Sequence, residues 1–213
     1  DFLPEPSRDQ AKTLYQDYVA VVIQAAHRNT ADELSPLIAQ AHTIQAQLWD
    51  MAVAMNKELL ALRDAGCRCI QIEEPTLHFM ANTFGARDEK VKFMVECYNR
   101  EVQGLDDVEI WIHTCWGNPN MQRVMEDTSY AASIEIYLER CKGDVWTLEM
   151  KDRGQKDIEL FEPFKHDLKK KIAIGAVSHR SLQADRPEDV AGEIRKALKV
   201  IPPEPVSYTH LRA

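Results

Sequence analysis

Four short apolar runs, each closing on polar residues and each separated from the next by a stretch of helical spacing, constrain this chain more than any other feature. They occupy residues 69–75, 109–115, 144–150 and 171–177. Ile, Val and Trp are prominent in them, and Gly or Pro lies close by, so each reads as a short strand apolar on both faces. Strands of that kind with helices between them predict a parallel sheet joined by crossover connections.

The intervening segments carry the helical period. Ser7 and Gln10 stand at capping-box spacing ahead of Leu14, Tyr18, Val22 and Ala25, which predicts an N-terminal helical segment over residues 1–35. A second helix starts at Thr30 with Glu33, or at Ser35 with Pro36, and runs toward Gly66. Its stripe of Leu37, Ala41, Ile44, Leu48, Met51, Met55, Leu59 and Leu62 is that of a helix packed on a sheet. Pro75 ends the first strand, and a loop leads to a helix over residues 89–102 with Val91, Met94, Val95 and Tyr98 on one side. A helical segment is expected after the Gly117-Asn118-Pro119-Asn120 break, and another over residues 158–170. The last helix opens at Pro187, is capped by Asp185, and turns Val190, Ile194, Leu198 and Ile201 to the core. Repetition of the βα unit predicts α/β architecture of the TIM (β/α)8-barrel type. With about four units where a closed barrel has eight strands, that barrel is expected to be incomplete.

Composition narrows the function classes. At 213 residues, 45% hydrophobic and 28% charged, the chain has the make-up of a globular protein. A net charge of -8 argues against nucleic acid or an anionic membrane surface as the main partner. Apolar runs stay far below the roughly 20 residues of a membrane span, so a soluble cytoplasmic protein is expected. Five cysteines, an odd number, fit reduced thiols rather than a disulfide framework. Cys67 and Cys69 begin a strand while Cys97 and Cys141 fall in helical segments, and all four read as structural. Lys169, Lys170 and Lys171 precede a strand and read as a solvated helix end on the side away from the site.

Candidate chemistry gathers at the other ends of the strands. His113 and Cys115 are one residue apart, so in a strand both project to one face, about 6.6–7 Å apart along the backbone. Imidazole nitrogen and thiolate sulfur suit zinc, and the soft sulfur argues against magnesium or calcium. Glu73 and Glu74, Glu149 and His179 also fall at strand ends, where barrel enzymes place their functional groups. Being adjacent, Glu73 and Glu74 point to opposite faces, so one of them faces the site.

The segments AGCRCIQIEEP, IHTCWGN, DVWTLEM and AVSHRSLQADRPEDVAGEIRKAL, in this order over residues 36–206, resemble the carboxy-terminal catalytic barrel of cobalamin-independent methionine synthase, which shares its fold with uroporphyrinogen decarboxylase. The resemblance implies a zinc-dependent methyltransferase that moves a methyl group from 5-methyltetrahydrofolate to the thiol of homocysteine. It implies His113, Cys115 and Glu149 as Zn2+ ligands, the acidic pair Glu73 and Glu74 as holder of the substrate amino group, and His179 as an aid to proton transfer. The partners implied are a small-molecule thiol and an alkyl donor.

Two departures qualify that picture. The family's Asp-Glu-Pro reads Glu73-Glu74-Pro75 here, which leaves open an epoxyalkane:coenzyme M transferase-like alkyl transfer. The family continues into a strand bearing Asp-Cys-Gly, whereas residues 207–213 form a tail unlike the family, so its fourth ligand has no counterpart. The chain therefore reads as truncated at both ends, expected to associate with another copy through exposed sheet edges or to form a rearranged barrel. A catalytically silent barrel fragment is the remaining reading.

Overall fold

The computed structural model describes residues 31–116, 129–178, 181–203 and 206–210, with helical positions at Thr13, Gln16, Asp17 and Ala20. Two compact units divide it: residues 1–66 with 97–105, and residues 67–96 with 106–213.

The first unit is built on helix α1 (Ala31–Asp64), which includes Pro36 and ends at Gly66, a glycine at φ +101. Ile44, Leu48, Ala52, Asn56 and Leu59 are its buried stripe, while Leu62 at the end of the predicted stripe is exposed. Asn56 sits inside that apolar stripe because its amide is fully used. Its Nδ2 donates to the carbonyls of Glu101 and Gln103 at 2.8 Å each, and its Oδ1 accepts from Arg100 at 2.7 Å.

The second unit carries a sheet of five parallel strands in sequence order: β1 (Cys69–Glu73), β2 (Glu109–Thr114), β3 (Val145–Leu148), β4 (Lys171–Val177) and β5 (Val206–His210). The four expected strands are present. The fifth comes from the tail that resembled nothing, where an alternation too short to stand out pairs with β4. Helix α2 (Pro75–Phe84) replaces the loop expected after β1. Glu74 supplies its N-cap and Pro75 its first position, so the proline that stops the strand also starts a helix. Helix α3 (Glu89–Glu101) begins in this unit and ends in the other, and α4 (Pro187–Leu198) precedes β5.

Between β2 and β3 the helical segment expected there is present among the described residues, as a 3-10 turn (Tyr130–Ala132) and a π-helical turn (Ile136–Arg140). Several other features differ from expectation. The helix expected over 158–170 is a 3-10 segment (Ile158–Phe164) containing Pro163, which lacks the N–H an α-helix needs there. In α4 the buried residue is Ala197, with Ile201 beyond the helix, while Leu198 is exposed. Asp185 does not cap that helix; its carboxylate accepts the Ser178 N–H at 2.7 Å. Lys170 is not solvated: burial pushes its pKa down, and its ammonium donates to the Cys141 carbonyl at the end of the π-helical turn.

β4 is buried and apolar on both faces from Ile172 to Ala176, as expected, whereas β1 and β2 are not. Ile70, Ile110, Ile112, Thr114, Trp146, Leu148, Ile172, Ile174 and Ala176 alternate onto one face, where α2 packs on β2 and α4 on β4. Trp146 anchors this layer, stacked on Tyr137 at 5.0 Å and tilted against Phe161 at 5.7 Å, with its indole N–H donating to Thr114 Oγ1 at 2.9 Å. Gly143, at φ +144, leads into β3 where a Cβ would come within 3.0 Å of Ile112, so only glycine fits. The opposite face carries Gln71, Glu73, Glu109, Trp111, His113, Thr147 and Lys171, together with the buried apolar Val145 and Ala173. No described helix is long and apolar enough to cross a membrane, and none of the five cysteines is in a disulfide.

Candidate functional site

The polar face of the sheet becomes a site at the carboxyl ends of its strands. Glu73 closes β1 directly across from His113, and its Oε2 lies 3.5 Å from His113 Nε2. His113 is buried while Glu73 is largely exposed, so the imidazole is held from one side by a carboxylate that still meets solvent. Gln71 donates to the other Glu73 oxygen at 2.7 Å and fixes its orientation.

Glu74 faces away. Its carboxylate accepts the Leu77 N–H at 3.1 Å as the cap of α2, and its backbone N–H donates to the His113 carbonyl at 2.9 Å. Of the adjacent carboxylates, Glu73 is the one on the site face.

Cys115 follows β2 and is half-buried; Glu149 follows β3 and is buried. Thr114 pairs with Leu148 and the Glu149 N–H donates to the Thr114 carbonyl at 3.2 Å, so the ladder continues and brings Cys115 opposite Glu149. Neighbours in parallel register share a face. His113, Cys115 and Glu149 thus belong to the polar face at two adjoining strand ends.

Their side chains are not drawn into one cluster. Glu149 Oε2 accepts the backbone N–H of Trp116 at 3.2 Å, and among the described residues no group of three or more His, Cys, Asp or Glu side chains is gathered as a metal site. The donor set nevertheless fits zinc in kind and register: one imidazole, one thiol and one carboxylate on a shared face. His179 lies outside the described residues, as does the Gly117–Asn120 break.

A layer of aromatic residues lies behind these strand ends. Tyr130, fully buried, stacks on His78 at 4.6 Å and contacts Trp116 at 4.7 Å. His78 is fixed by Ser133 Oγ, 2.8 Å from its Nδ1. Neither tyrosine of this segment stands out in the sequence, where residues 130–137 read only as a helical stretch; what marks them is the strand ends they reach.

Comparison with known proteins adds the lineage. Residues 36–207 match the family described as "Cobalamin-independent synthase, Catalytic domain". The chain belongs to that family. It is 32% identical over 159 residues to the methionine synthase of Saccharolobus solfataricus, covering 75% of this chain and 41% of that protein. Against the methionine synthase of Sulfurisphaera tokodaii it is 26% identical over 156 residues, covering 73% of this chain and 39% of the relative. It therefore spans about two fifths of the length of these curated relatives. The solved structure of a B12-independent methionine synthase from Shewanella sp. W3-18-1, in complex with selenomethionine, superposes with a TM-score of 0.64 at 23% identity, over 78% of this chain and 48% of the other. At that identity the likeness bears on the fold: five consecutive parallel strands of a βα-barrel in the cobalamin-independent synthase family.

Proposed function

We propose that this chain carries the alkyl-transfer centre of a zinc-dependent methyltransferase, moving a methyl group from 5-methyltetrahydrofolate to the thiol of homocysteine. The observation that carries the reading is the placement of His113, Cys115 and Glu149 on one face of adjoining strand ends, within a domain of the cobalamin-independent synthase family. His113, Cys115 and Glu149 would hold the ion. An ion held there would supply Lewis acidity toward a substrate thiol, favouring its deprotonated form at neutral pH.

The chain's own groups do the rest. Glu73, exposed at the rim and oriented by Gln71, offers its carboxylate to the substrate's amino group. Glu74 keeps the turn after β1 in place by capping α2. The Trp116 N–H holds the Glu149 carboxylate at the β3 end. As sulfur bonds to the methyl carbon, the carbon–nitrogen bond breaks and the departing amine takes a proton, a transfer we assign to His179. We place this chemistry in the cytoplasm, a reading supported by five unbridged cysteines.

The test is a matrix of homocysteine and coenzyme M as thiols against 5-methyltetrahydrofolate and a short epoxide as donors. Methylation of homocysteine alone is expected. Turnover confined to coenzyme M and the epoxide, or no turnover by zinc-loaded protein, would overturn the assignment.

A further inference from the structure

Two buried tyrosines in the connection between β2 and β3 reach back to three strand ends. The Tyr137 hydroxyl donates to the Glu74 carbonyl at 2.7 Å, just past β1. The Tyr130 hydroxyl lies 3.3 Å from the carbonyl of Thr114, the last residue of β2, and 3.3 Å from that of Glu149, just past β3. One O–H shared between two carbonyls is a three-centre bond, and this one spans the gap between the two strands. Thr114 lies between His113 and Cys115, so the two carbonyls belong to the backbone that carries all three proposed ligands.

Tyr130 is itself held from several sides. Asp157 accepts its backbone N–H at 3.2 Å and the Ser129 hydroxyl at 2.8 Å. Its ring is packed by His78, Trp116 and Trp146. A phenol fixed in this way cannot follow the strand ends if they drift; the strand ends must stay with it.

We infer that Tyr130 is a positioning residue for the site: its hydroxyl bridges the ends of β2 and β3 and sets the separation of Cys115 from Glu149, whereas the Tyr137 hydroxyl does the equivalent job at β1 and bonds to neither ligand strand. This rests on the zinc reading proposed above, and it makes a distinction that reading does not. On change to Phe both tyrosines keep their rings; Tyr130 loses the O–H it shares between two carbonyls and Tyr137 its contact to one. Only the Tyr130 contact lies on the backbone of proposed ligands. Outer groups that orient ligands typically change metal affinity by about 10- to 100-fold when removed.

The experiment is zinc affinity by chelator competition on the full chain, with thermal unfolding in parallel, for the wild type, Tyr130→Phe and Tyr137→Phe. The inference expects about a tenfold loss of affinity in Tyr130→Phe and wild-type affinity in Tyr137→Phe, with similar losses of thermal stability in both. Cobalt-substituted Tyr130→Phe should also show a shifted thiolate charge-transfer band. Unchanged affinity in Tyr130→Phe, or equal losses in both variants, would overturn the positioning role while leaving the zinc reading intact. Absence of zinc binding in the wild type would overturn both. If Tyr130→Phe folds poorly, Asp157→Asn, which loosens the Tyr130 backbone, carries the same expectation in milder form.

Discussion

The two faces of the sheet are made by the same strands and obey different rules. On one face Ile112, Trp146 and Ile172 are wholly buried, and the Trp146 indole N–H is satisfied by Thr114 Oγ1. On the other, one residue further along, stand His113, Thr147 and Ala173, with Glu149 two residues beyond Thr147; His113, Thr147 and Glu149 are buried polar groups that a sheet built for stability alone would replace. Thr147 shows the difference most plainly, since its hydroxyl is buried with no hydrogen-bond partner among the described residues. The large apolar side chains are concentrated on one face and the candidate site on the other.

That division can be broken or sharpened by substitution. The largest effect is expected on the apolar face: Trp146→Ala should cost about 4 kcal/mol in urea unfolding, as large-to-small changes at packed aromatic positions do. A cost under about 1 kcal/mol there would mean that the face is not the core.

Glu101, in the other unit, is a control for buried polarity without site chemistry. Burial raises its carboxyl to about 7 from an ordinary 4.5. The folded state thus holds the proton more tightly than the unfolded chain. Its contribution is full below about pH 4.5 and is lost as pH rises through about 7. Glu101→Gln should flatten stability between pH 5 and 8, a difference of up to about 3 kcal/mol. Parallel pH profiles of wild type and variant would contradict the assignment.

The smallest change is expected on the polar face. Thr147→Val removes a buried hydroxyl without a partner among the described residues and should stabilise the protein by about 1 kcal/mol. Destabilisation of similar size would show that the hydroxyl has a partner in solution and that the two faces differ less than described.

Much of this contrast was legible in the residues. Period and turn signals located β1 to β4, α3 and α4, because each strand is an apolar run and Pro187 opens its helix. The H-x-C spacing and the strand-end glutamates identified the face of the site, since alternation alone puts His113 and Cys115 on one side. What was not legible depends on partners distant in sequence. Glu74 reads as a second site carboxylate until Leu77 is seen to use it, and Lys170 reads as solvated until Cys141 is found beneath it.

On the proposed reading the polar face would hold a metal through His113, Cys115 and Glu149. Metal analysis of purified protein, before and after zinc reconstitution and dialysis, tests it most directly when wild type and Cys115→Ser are compared. The account predicts about one zinc per chain in the wild type and a marked loss in Cys115→Ser. A wild-type chain that retains no zinc after reconstitution, or a Cys115→Ser variant that retains it equally well, would contradict it.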